Sequence, residues 1–258
     1  MSICAPPVRP TGMQNNIPTG RFVWFEYGSK DVKKAQGFFG ELFNWSTVDV
    51  PMPQGSYTMI SAGDATIGGY PPHMANMDQS YWATHLQVED AEASAQKAKQ
   101  LGGTIVVPTM QLGSVGKMAV IEDPTGGHVP LWQPTSREPG GDYANKMGQF
   151  CWNELHTPDP EAATKFYAAL CGYEANTIDR GRGPYTMLAK DGKSRAGVIK
   201  DTQAVWIPYV QVANTDATLE KAKKLGATIS MPAINMPIGR IASFVDPQGA
   251  ALGLVQPA

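Results

Sequence analysis

The sequence predicts an α+β protein made of two tandem domains, and three observations carry this prediction. Residues 20–45 align without a gap with residues 148–173. The motif Asp-Pro-x-Gly, followed by a short apolar run, occurs at 123–126 and again at 246–249. Within each half, the pattern strand-helix-strand-strand-strand occurs twice, which predicts a partly antiparallel sheet flanked by helices.

The repeat divides the chain into domains. The predicted first domain covers residues 20–134 and the second covers residues 148–258. Residues 135–147 are polar and rich in Pro and Gly, which is typical of a linker. Residues 1–19 are rich in Pro and Asn, and we expect a flexible N-terminal arm there. The residues that recur include Gly20, Phe22, Trp24, Glu26, Asp31, Phe38 and Leu42 in the first half and Gly148, Phe150, Trp152, Glu154, Asp159, Phe166 and Leu170 in the second.

The first unit opens with the stretch FVWFEY, whose alternation indicates a strand. Asp31 then caps a helix, DVKKAQGFFGELF, with Val32, Ala35 and Phe38 on one face. Three short strands, STVDV, SYTMIS and ATIGGY, complete the unit.

The same order restarts near Trp82. The stretch WATHLQVED predicts a strand, and DAEASAQKAKQLGG predicts a helix that ends at Gly102. TIVVP, GKMAVIED and HVPLWQ predict three more strands. Because the second half repeats these patterns, the chain holds four such units.

Composition excludes several classes of function. The chain has 258 residues, of which 42% are hydrophobic and 17% charged, and its net charge is -2. This charge draws it neither to nucleic acid nor to an anionic membrane. No apolar run is long enough to span a bilayer, and the first residues lack the features of a signal peptide. The three cysteines, Cys4, Cys151 and Cys171, fit neither a disulfide framework nor a zinc site, so we expect reduced thiols in a cytoplasmic protein.

Three motifs together resemble a known superfamily. They are the strands followed by Asp-capped helices, the restarts at 82–90 and 206–214 that begin with Trp, and the closing Asp-Pro-x-Gly strands. The pattern resembles the vicinal oxygen chelate superfamily, which includes glyoxalase I, bleomycin-resistance proteins, fosfomycin-resistance enzymes and extradiol dioxygenases. The resemblance covers residues 20–134 and 148–257 and is strongest to tandem two-domain members. It implies two glyoxalase-like domains, each a curved mixed sheet closed into a cup by two βαβββ units.

The resemblance also implies a divalent metal that chelates two adjacent substrate oxygens, but the ligand positions here hold other residues. In metal-binding relatives the closing strand reads Asp-Pro-x-Gly-Asn-x-x-Glu. Side chains that cannot ligate a metal occupy all six expected positions: Trp24, Ala83, Pro130, Trp152, Ile207 and Gly253. We therefore predict no metal and no other cofactor.

One alternative keeps a divalent metal in the first domain. The period of two in a strand places Glu26 on the face of Trp24, His85 on the face of Ala83, and His128 on the face of Pro130. Two His and one carboxylate are the composition of a non-haem iron site. Glu26, His85 and His128 would form this shifted site.

The matched carboxylates are the candidate catalytic groups. Glu26 and Glu154 lie on inward faces beside Trp, and burial there is expected to raise a carboxyl pKa into the range useful for acid/base chemistry. His85 is the candidate partner of Glu26. In the second half, Tyr209 stands in place of His85 and Ala251 in place of His128, so we expect that half to lack the His pair. The alternative is a structural role, in which each Glu only bonds the sheet.

Aromatic residues are the candidate ligand-binding groups. Trp24 and Trp152 replace a metal centre with a flat apolar surface, which favours planar or apolar ligands. Ordinary core packing is the alternative for each aromatic residue. The predicted ligand-binding residues are Trp24, Tyr57, His128, Trp152, Tyr185 and Tyr209.

The sequence is compatible with three functions. The protein binds a small molecule without chemistry, or it is a metal-independent isomerase or lyase acting on an oxygenated or aromatic compound, or it is a metal-dependent lyase or dioxygenase using the shifted site. The residues favour the first two. The expected partner is a small molecule, and a monomer or weak homodimer is expected because four units in one chain can close both cups.

Overall fold

A computed structural model describes residues 19–52, 55–72, 79–135, 146–179 and 183–258. These residues form two eight-stranded sheets and four α-helices. The predicted arm, apart from residue 19, and most of the predicted linker at 135–147 lie outside the described residues. The predicted α+β class with two tandem domains is confirmed.

The first sheet takes its strands from the first half of the chain. Its elements in chain order are β1 (Arg21–Gly28), α1 (Val32–Phe43), β2 (Ser46–Met52), β3 (Gly55–Ala62), β4 (Ala65–Tyr70), β5 (Tyr81–Gln87), α2 (Ala91–Gln100), β6 (Thr104–Leu112), β7 (Gly116–Glu122) and β8 (His128–Pro134).

The second sheet repeats the first. Its elements are β9 (Phe150–Thr157), α3 (Pro160–Cys171), β10 (Glu174–Asp179), β11 (Pro184–Lys190), β12 (Lys193–Lys200), β13 (Val205–Gln211), α4 (Thr215–Lys224), β14 (Thr228–Met236), β15 (Gly239–Val245) and β16 (Ala251–Pro257).

The opening strands of the two units lie at the centre of each sheet. The order is β2-β3-β4-β1-β5-β8-β7-β6 in the first sheet and β10-β11-β12-β9-β13-β16-β15-β14 in the second. β1 pairs antiparallel with β5 and parallel with β4, and β5 pairs parallel with β8. Residues of the opening strands therefore have a hydrogen-bonded strand on each side. Side chains from several strands can meet around them.

Short polar side chains start all four helices. The side chain of each N-cap residue accepts a hydrogen bond from the backbone N–H three residues later, which satisfies one of the free donors at the helix start. The caps are Asp31, Asp90, Asp159 and Asn214. The residue at which each helix begins therefore depends on a local side chain.

Alternate residues of the central strands face a core that the two sheets share. Phe25 of β1 stacks on Phe150 of β9 with ring centroids 3.9 Å apart, and Trp82 of β5 lies 5.3 Å from Phe150. Phe22 lies 4.9 Å from Trp206. Burying such rings is the main favourable term in joining the two halves. The opposite face of each sheet carries Trp24 or Trp152 and its neighbours, and we call these faces the first cup and the second cup.

The second Asp-Pro-x-Gly turn binds the first half of the chain. One carboxylate oxygen of Asp246 accepts hydrogen bonds from the backbone N–H groups of Gln248 (2.7 Å) and Ala250 (3.2 Å), which shapes the turn. The other oxygen accepts the buried hydroxyl of Tyr27 at 2.6 Å. The side-chain oxygen of Gln248 also accepts the backbone N–H of Asp31 at 3.0 Å. The turn thus ties β15 and β16 to β1 and to the start of α1.

The first Asp-Pro-x-Gly turn likewise binds the second half of the chain. Asp123 accepts the backbone N–H groups of Thr125 (2.7 Å) and Gly127 (3.2 Å) with one oxygen, and the buried hydroxyl of Tyr167 (2.9 Å) with the other. Tyr167 belongs to α3, in the second half. The motif is present twice because each copy holds its own hairpin and bonds the opposite half.

Within the described residues, no helix is both long enough and apolar enough to cross a bilayer.

The hydrogen bonds that join each turn to the opposite half should contribute to the free energy of unfolding. Tyr27→Phe and Tyr167→Phe each remove a donor from a buried carboxylate, so each should lower the free energy of unfolding by about 1–3 kcal/mol. Urea denaturation at neutral pH measures the change. Lys165→Ala, which breaks the exposed pair between Lys165 and Glu161, is the control and should leave the unfolding midpoint unchanged. Wild-type stability in both Tyr variants would show that the turns do not hold the halves together.

Candidate functional site

A carboxylate stands at the middle of each cup. Glu26 on β1 is in register with Gly69 of β4 and Ala83 of β5. Glu154 on β9 is in register with Gly197 of β12 and Ile207 of β13. The two glutamates occupy equivalent places because the two halves repeat.

The first cup contains a chain of hydrogen bonds that ends on Glu26. The Trp24 indole N–H donates to the Tyr57 hydroxyl at 2.8 Å, and this hydroxyl donates to Glu26 Oε1 at 2.7 Å. His85 Nε2 lies 3.1 Å from Glu26 Oε2. The His85 side chain is 3% exposed and that of Glu26 is 22% exposed, so the carboxylate reaches solvent while its His partner does not.

The second cup repeats the chain on Glu154. The Trp152 indole N–H donates to the Tyr185 hydroxyl at 3.0 Å, and this hydroxyl donates to Glu154 Oε1 at 2.8 Å. The Tyr209 hydroxyl donates to Glu154 Oε2 at 2.6 Å. Glu154 is buried, as are both Tyr residues. The structure thus brings together every candidate residue of this half that the sequence singled out.

Glycines in the neighbouring strands make room for the tyrosines. A Cβ on Gly69 would lie 2.3 Å from the Tyr57 ring, and a Cβ on Gly197 would lie 2.0 Å from the Tyr185 hydroxyl. Real side chains do not approach so closely, so each ring needs a glycine beneath it. Because Gly69 and Gly197 are in register with the two glutamates, the sequence signal for this cluster is a Glu in the opening strand matched by a Gly in the fourth strand.

The pKa of both glutamates is shifted downward. Burial raises the pKa of Glu26, but the charge of His85 and hydrogen bonds from His85, Tyr57 and Trp24 outweigh it. Burial likewise raises the pKa of Glu154, but the nearby His156 and hydrogen bonds from Tyr209 and Tyr185 outweigh it. The expectation that burial would leave these carboxyls with a raised pKa is wrong, because charged and neutral donors surround both oxygens.

His156 is a site residue that the sequence argument missed. It follows Glu154 by two residues on β9, so a period of two already puts it on the same face. Its Nδ1 lies 2.7 Å from Asp201 Oδ2, and its Nε2 lies 3.8 Å from Glu154 Oε2. Burial lowers the pKa of His156, but the nearby Glu154 carboxylate and the hydrogen-bonded carboxylate of Asp201 outweigh this effect and raise it above its ordinary value. The second cup lacks counterparts of His85 and His128, as expected, yet it has a His of its own.

His128 lies apart from the other candidates of the first half. It stands at the start of β8, its side chain is 55% exposed, and its Nε2 lies 3.3 Å from Glu122 Oε2. Its carboxylate partner is therefore Glu122, whereas His85 is paired with Glu26. Among the described residues, no group of three His, Cys, Asp or Glu side chains is arranged to hold a metal ion. The shifted metal site is not assembled, because His128 and His85 lie at displaced positions of adjacent strands.

The residues at the family's metal positions do not fit a divalent ion. Trp24 and Trp152 offer only indole N–H groups, which donate and cannot ligate. At Gly253, a Cβ would lie 2.2 Å from the Tyr209 ring, so the ring covers the place of the family's carboxylate. Aromatic rings thus occupy positions that metal-binding relatives give to ligands.

The two cysteines within the described residues have raised pKa values. Burial raises the pKa of the Cys151 thiol to about 12 and that of Cys171 to about 12. Both thiols are therefore neutral at physiological pH.

Two of the cavities formed by the described residues lie in different parts of the structure. One, of about 400 Å³, lies at the second cup against Trp152. The other, of about 540 Å³, lies in the seam between α1 and the Asp246 turn, and it is lined by Phe38, Lys34 and Leu225 among others. The lining of the larger cavity contains none of the candidate residues, whereas that of the smaller one contains Trp152, so size does not make the larger cavity the candidate site.

Curated relatives match nearly the whole chain, although no family model matches the sequence. The chain is 31% identical over 246 residues to "Putative glyoxylase CFP32" of Mycobacterium bovis, covering 91% of this chain and 94% of that protein. It is 28% identical over 257 residues to the anthracycline biosynthesis protein DauV of Streptomyces sp. (strain C5), covering 92% and 93%.

Solved structures of similar fold include a Mn(II)-bound glyoxalase and a dioxygenase. The Mn(II)-bound glyoxalase from Novosphingobium aromaticivorans has a TM-score of 0.63 at 14% identity, covering 92% of this chain and 82% of that chain. The 2,3-dioxygenase LapB from Pseudomonas sp. KL28 has a TM-score of 0.65 at 12% identity, covering 93% of each. At such identities the likeness shows the fold alone. Together with the full-length relative at 31% identity, it shows that the chain belongs to the vicinal oxygen chelate superfamily, as a tandem two-domain member.

Proposed function

We propose that this protein binds a small, planar, oxygenated molecule in a cup, without a metal ion. One observation carries the proposal. In both halves, the first metal-ligand position of the superfamily holds a Trp whose N–H is fixed on a Tyr hydroxyl, and that hydroxyl is fixed on a Glu. The same aromatic arrangement built twice favours a binding wall in place of a metal centre.

The hydrogen-bond chains support binding because they hold the indoles still. Trp24 and Trp152 are half-buried, so part of each ring remains at the surface of its cup. A ring already fixed by its N–H loses little conformational freedom when a flat ligand stacks on it. Planar ligands gain most from such a surface, because aromatic pairs prefer stacked or edge-to-face contacts.

The ionised glutamates support recognition of oxygenated ligands. Glu26 Oε1 and Oε2 already interact with Tyr57 and His85, yet the side chain is 22% exposed. An ionised carboxylate has lone pairs for further donors, so a ligand hydroxyl can bond to it. Its lowered pKa makes it a poor acid and a weak base, which favours an anchoring role over proton transfer.

The relatives support the same ligand class. DauV is named for anthracycline biosynthesis, and anthracyclines are planar ring systems with several oxygen substituents. A compound of this chemistry would combine ring stacking on Trp with hydroxyl contacts to the carboxylate.

A metal-independent isomerase or lyase is the second candidate, and the Glu26–His85 pair favours it. The partly exposed carboxylate reaches the ligand, and the buried His behind it lies 3.1 Å away. In such a reaction Glu26 takes a proton from one atom of the ligand and returns it to another atom of the ligand, so the carboxylate is restored at the end. His85 holds the carboxylate in place through their contact at 3.1 Å.

Metal content distinguishes these proposals from the usual chemistry of the superfamily. Protein purified without chelator should contain far less than one Mn, Fe, Ni or Zn per chain, because the aromatic rings at the ligand positions provide no donor set. Elemental analysis measures the content, and a thermal-shift titration with each metal should leave the melting temperature unchanged. One tightly bound metal per chain that is lost in His85→Ala would overturn both metal-free proposals.

Binding should depend on an indole face. We expect 1,4-dihydroxyanthraquinone to bind stoichiometrically and to quench Trp fluorescence. Of the variants Trp24→Leu and Trp152→Leu, made singly, at least one should weaken binding by about tenfold, which corresponds to about 1.4 kcal/mol of lost stacking. The matched variants Trp24→Phe and Trp152→Phe keep a ring and should lose less. Unchanged affinity in both Leu variants would remove the support for an aromatic wall.

Replacing Glu26 with Gln should change how the stability of the protein depends on pH. Because the folded pKa of Glu26 lies below the ordinary value of 4.5, its charge stabilises the fold above that value and loses this effect as the pH falls through the folded pKa. Urea denaturation should therefore show a smaller loss of stability on acidification in Glu26→Gln than in wild type.

The same variant tests the second candidate. Glu26→Gln should weaken binding of the probe by no more than a few-fold, because the Gln side chain keeps a carbonyl oxygen that accepts a ligand hydroxyl. Mass spectrometry of the incubated probe should show no conversion by either protein. Conversion by wild type that Glu26→Gln abolishes would establish the enzyme instead.

A further inference from the structure

Besides the different partners of their glutamates, the two cups differ at one position of the last strand, residue 132 in the first half and residue 255 in the second. The cavity of about 400 Å³ in the second cup is lined by Cys151, Trp152, Gln211, Ile238, Val255 and Pro257. In the repeat, Val255 of β16 corresponds to Trp132 of β8. The second half therefore has a small aliphatic side chain at the position where the first half has an indole.

Contacts show that Trp132 fills the corresponding space in the first cup. A Cβ on Gly116 would lie 2.6 Å from the Trp132 ring. The ring also packs edge-on against His85, with centroids 6.5 Å apart. In the second half, a Cβ on Gly239, the counterpart of Gly116, would meet backbone atoms of residues 256–258 as its nearest neighbours and no ring. The ring that covers this corner of the first cup has no counterpart in the second.

The cavity lining indicates which ligand would fit. Four of the six lining residues are apolar or aromatic, and Gln211 contributes an amide. The Cys151 thiol is neutral, since burial raises its pKa to about 12. No residue of this lining carries a charge at neutral pH, so a charged ligand would lose hydration without gaining an ion pair. The volume lies at the lower end of the range for small-molecule pockets, which fits a molecule of a few rings.

We propose that the second cup is the ligand site, that it takes one uncharged aromatic molecule per chain against Trp152, and that residues 132 and 255 decide which cup is open. This inference rests on the aromatic wall of the proposed function and limits the site to the second cup, where the ligand stacks on Trp152 and does not contact Glu26. The first cup then keeps its more exposed glutamate but has its apolar corner closed by Trp132.

The experiment uses the full chain with two probes of similar shape. Isothermal titration calorimetry at neutral pH compares 2-naphthol, which is uncharged, with 2-naphthoate, which is an anion. Wild type should bind one 2-naphthol per chain and bind 2-naphthoate at least about tenfold more weakly. Val255→Trp copies the first half into the second and should weaken 2-naphthol binding by about tenfold or more.

The reciprocal variant is the matched control. Trp132→Val copies the second half into the first and should raise the number of 2-naphthol sites from one to two, without weakening the original site. Thermal melts confirm that each variant is folded. If Val255→Trp does not fold, Val255→Leu, which fills the cavity less, should lower affinity by a smaller factor.

The remaining outcomes overturn the inference. Binding of 2-naphthol that Val255→Trp leaves unchanged and Trp24→Leu abolishes would move the site to the first cup and leave the proposed function standing. Tighter binding of 2-naphthoate would exclude the uncharged class. Absence of any binding by 2-naphthol would also reject this inference, while stoichiometric binding of 1,4-dihydroxyanthraquinone would still support the proposed function.

Discussion

An ionised carboxylate at the centre of each sheet must be compensated, and much of the site follows from this constraint. Glu26 and Glu154 lie on strands with neighbours on both sides, so Glu26 is only partly exposed and Glu154 is buried. Removing a carboxylate from water is costly unless donors surround it. Tyr57 and Tyr185 provide these donors, and the two Trp residues in turn hold the Tyr hydroxyls. The glycines in register with the glutamates follow from the same requirement, because the Tyr rings need their space.

The two halves meet this constraint with different third partners. In the first cup the imidazole comes from β5, as His85, whereas in the second it comes from β9, as His156. Tyr209 then takes the place of His85 and covers Gly253. The result is a partly open carboxylate in the first half and a buried one in the second, which is how a repeated domain can acquire two different surfaces.

Duplication also explains how the halves are joined. Each Asp-Pro-x-Gly turn uses one carboxylate oxygen for its own backbone and the other for a Tyr of the opposite half. The turns therefore serve both the local hairpin and the interface. These contacts do not involve the residues at the centre of each cup. The centre can therefore hold aromatic rings in place of metal ligands while the fold is kept, in keeping with the general separation of fold from site chemistry.

The sequence by itself determined the repeat, the order of strands and helices, the helix caps and the faces on which Trp24, Glu26 and His85 lie, because each depends on local periodicity or on one motif. The same periodicity could have identified His156, two residues after Glu154. Tertiary structure decided the rest, namely the downward pKa shifts of both glutamates, the pairing of His128 with Glu122, the Tyr209 ring over Gly253 and the bonds from each turn to the other half. These features depend on residues far apart in the chain, whose distance and burial are set only when the strands pair and the two halves pack together.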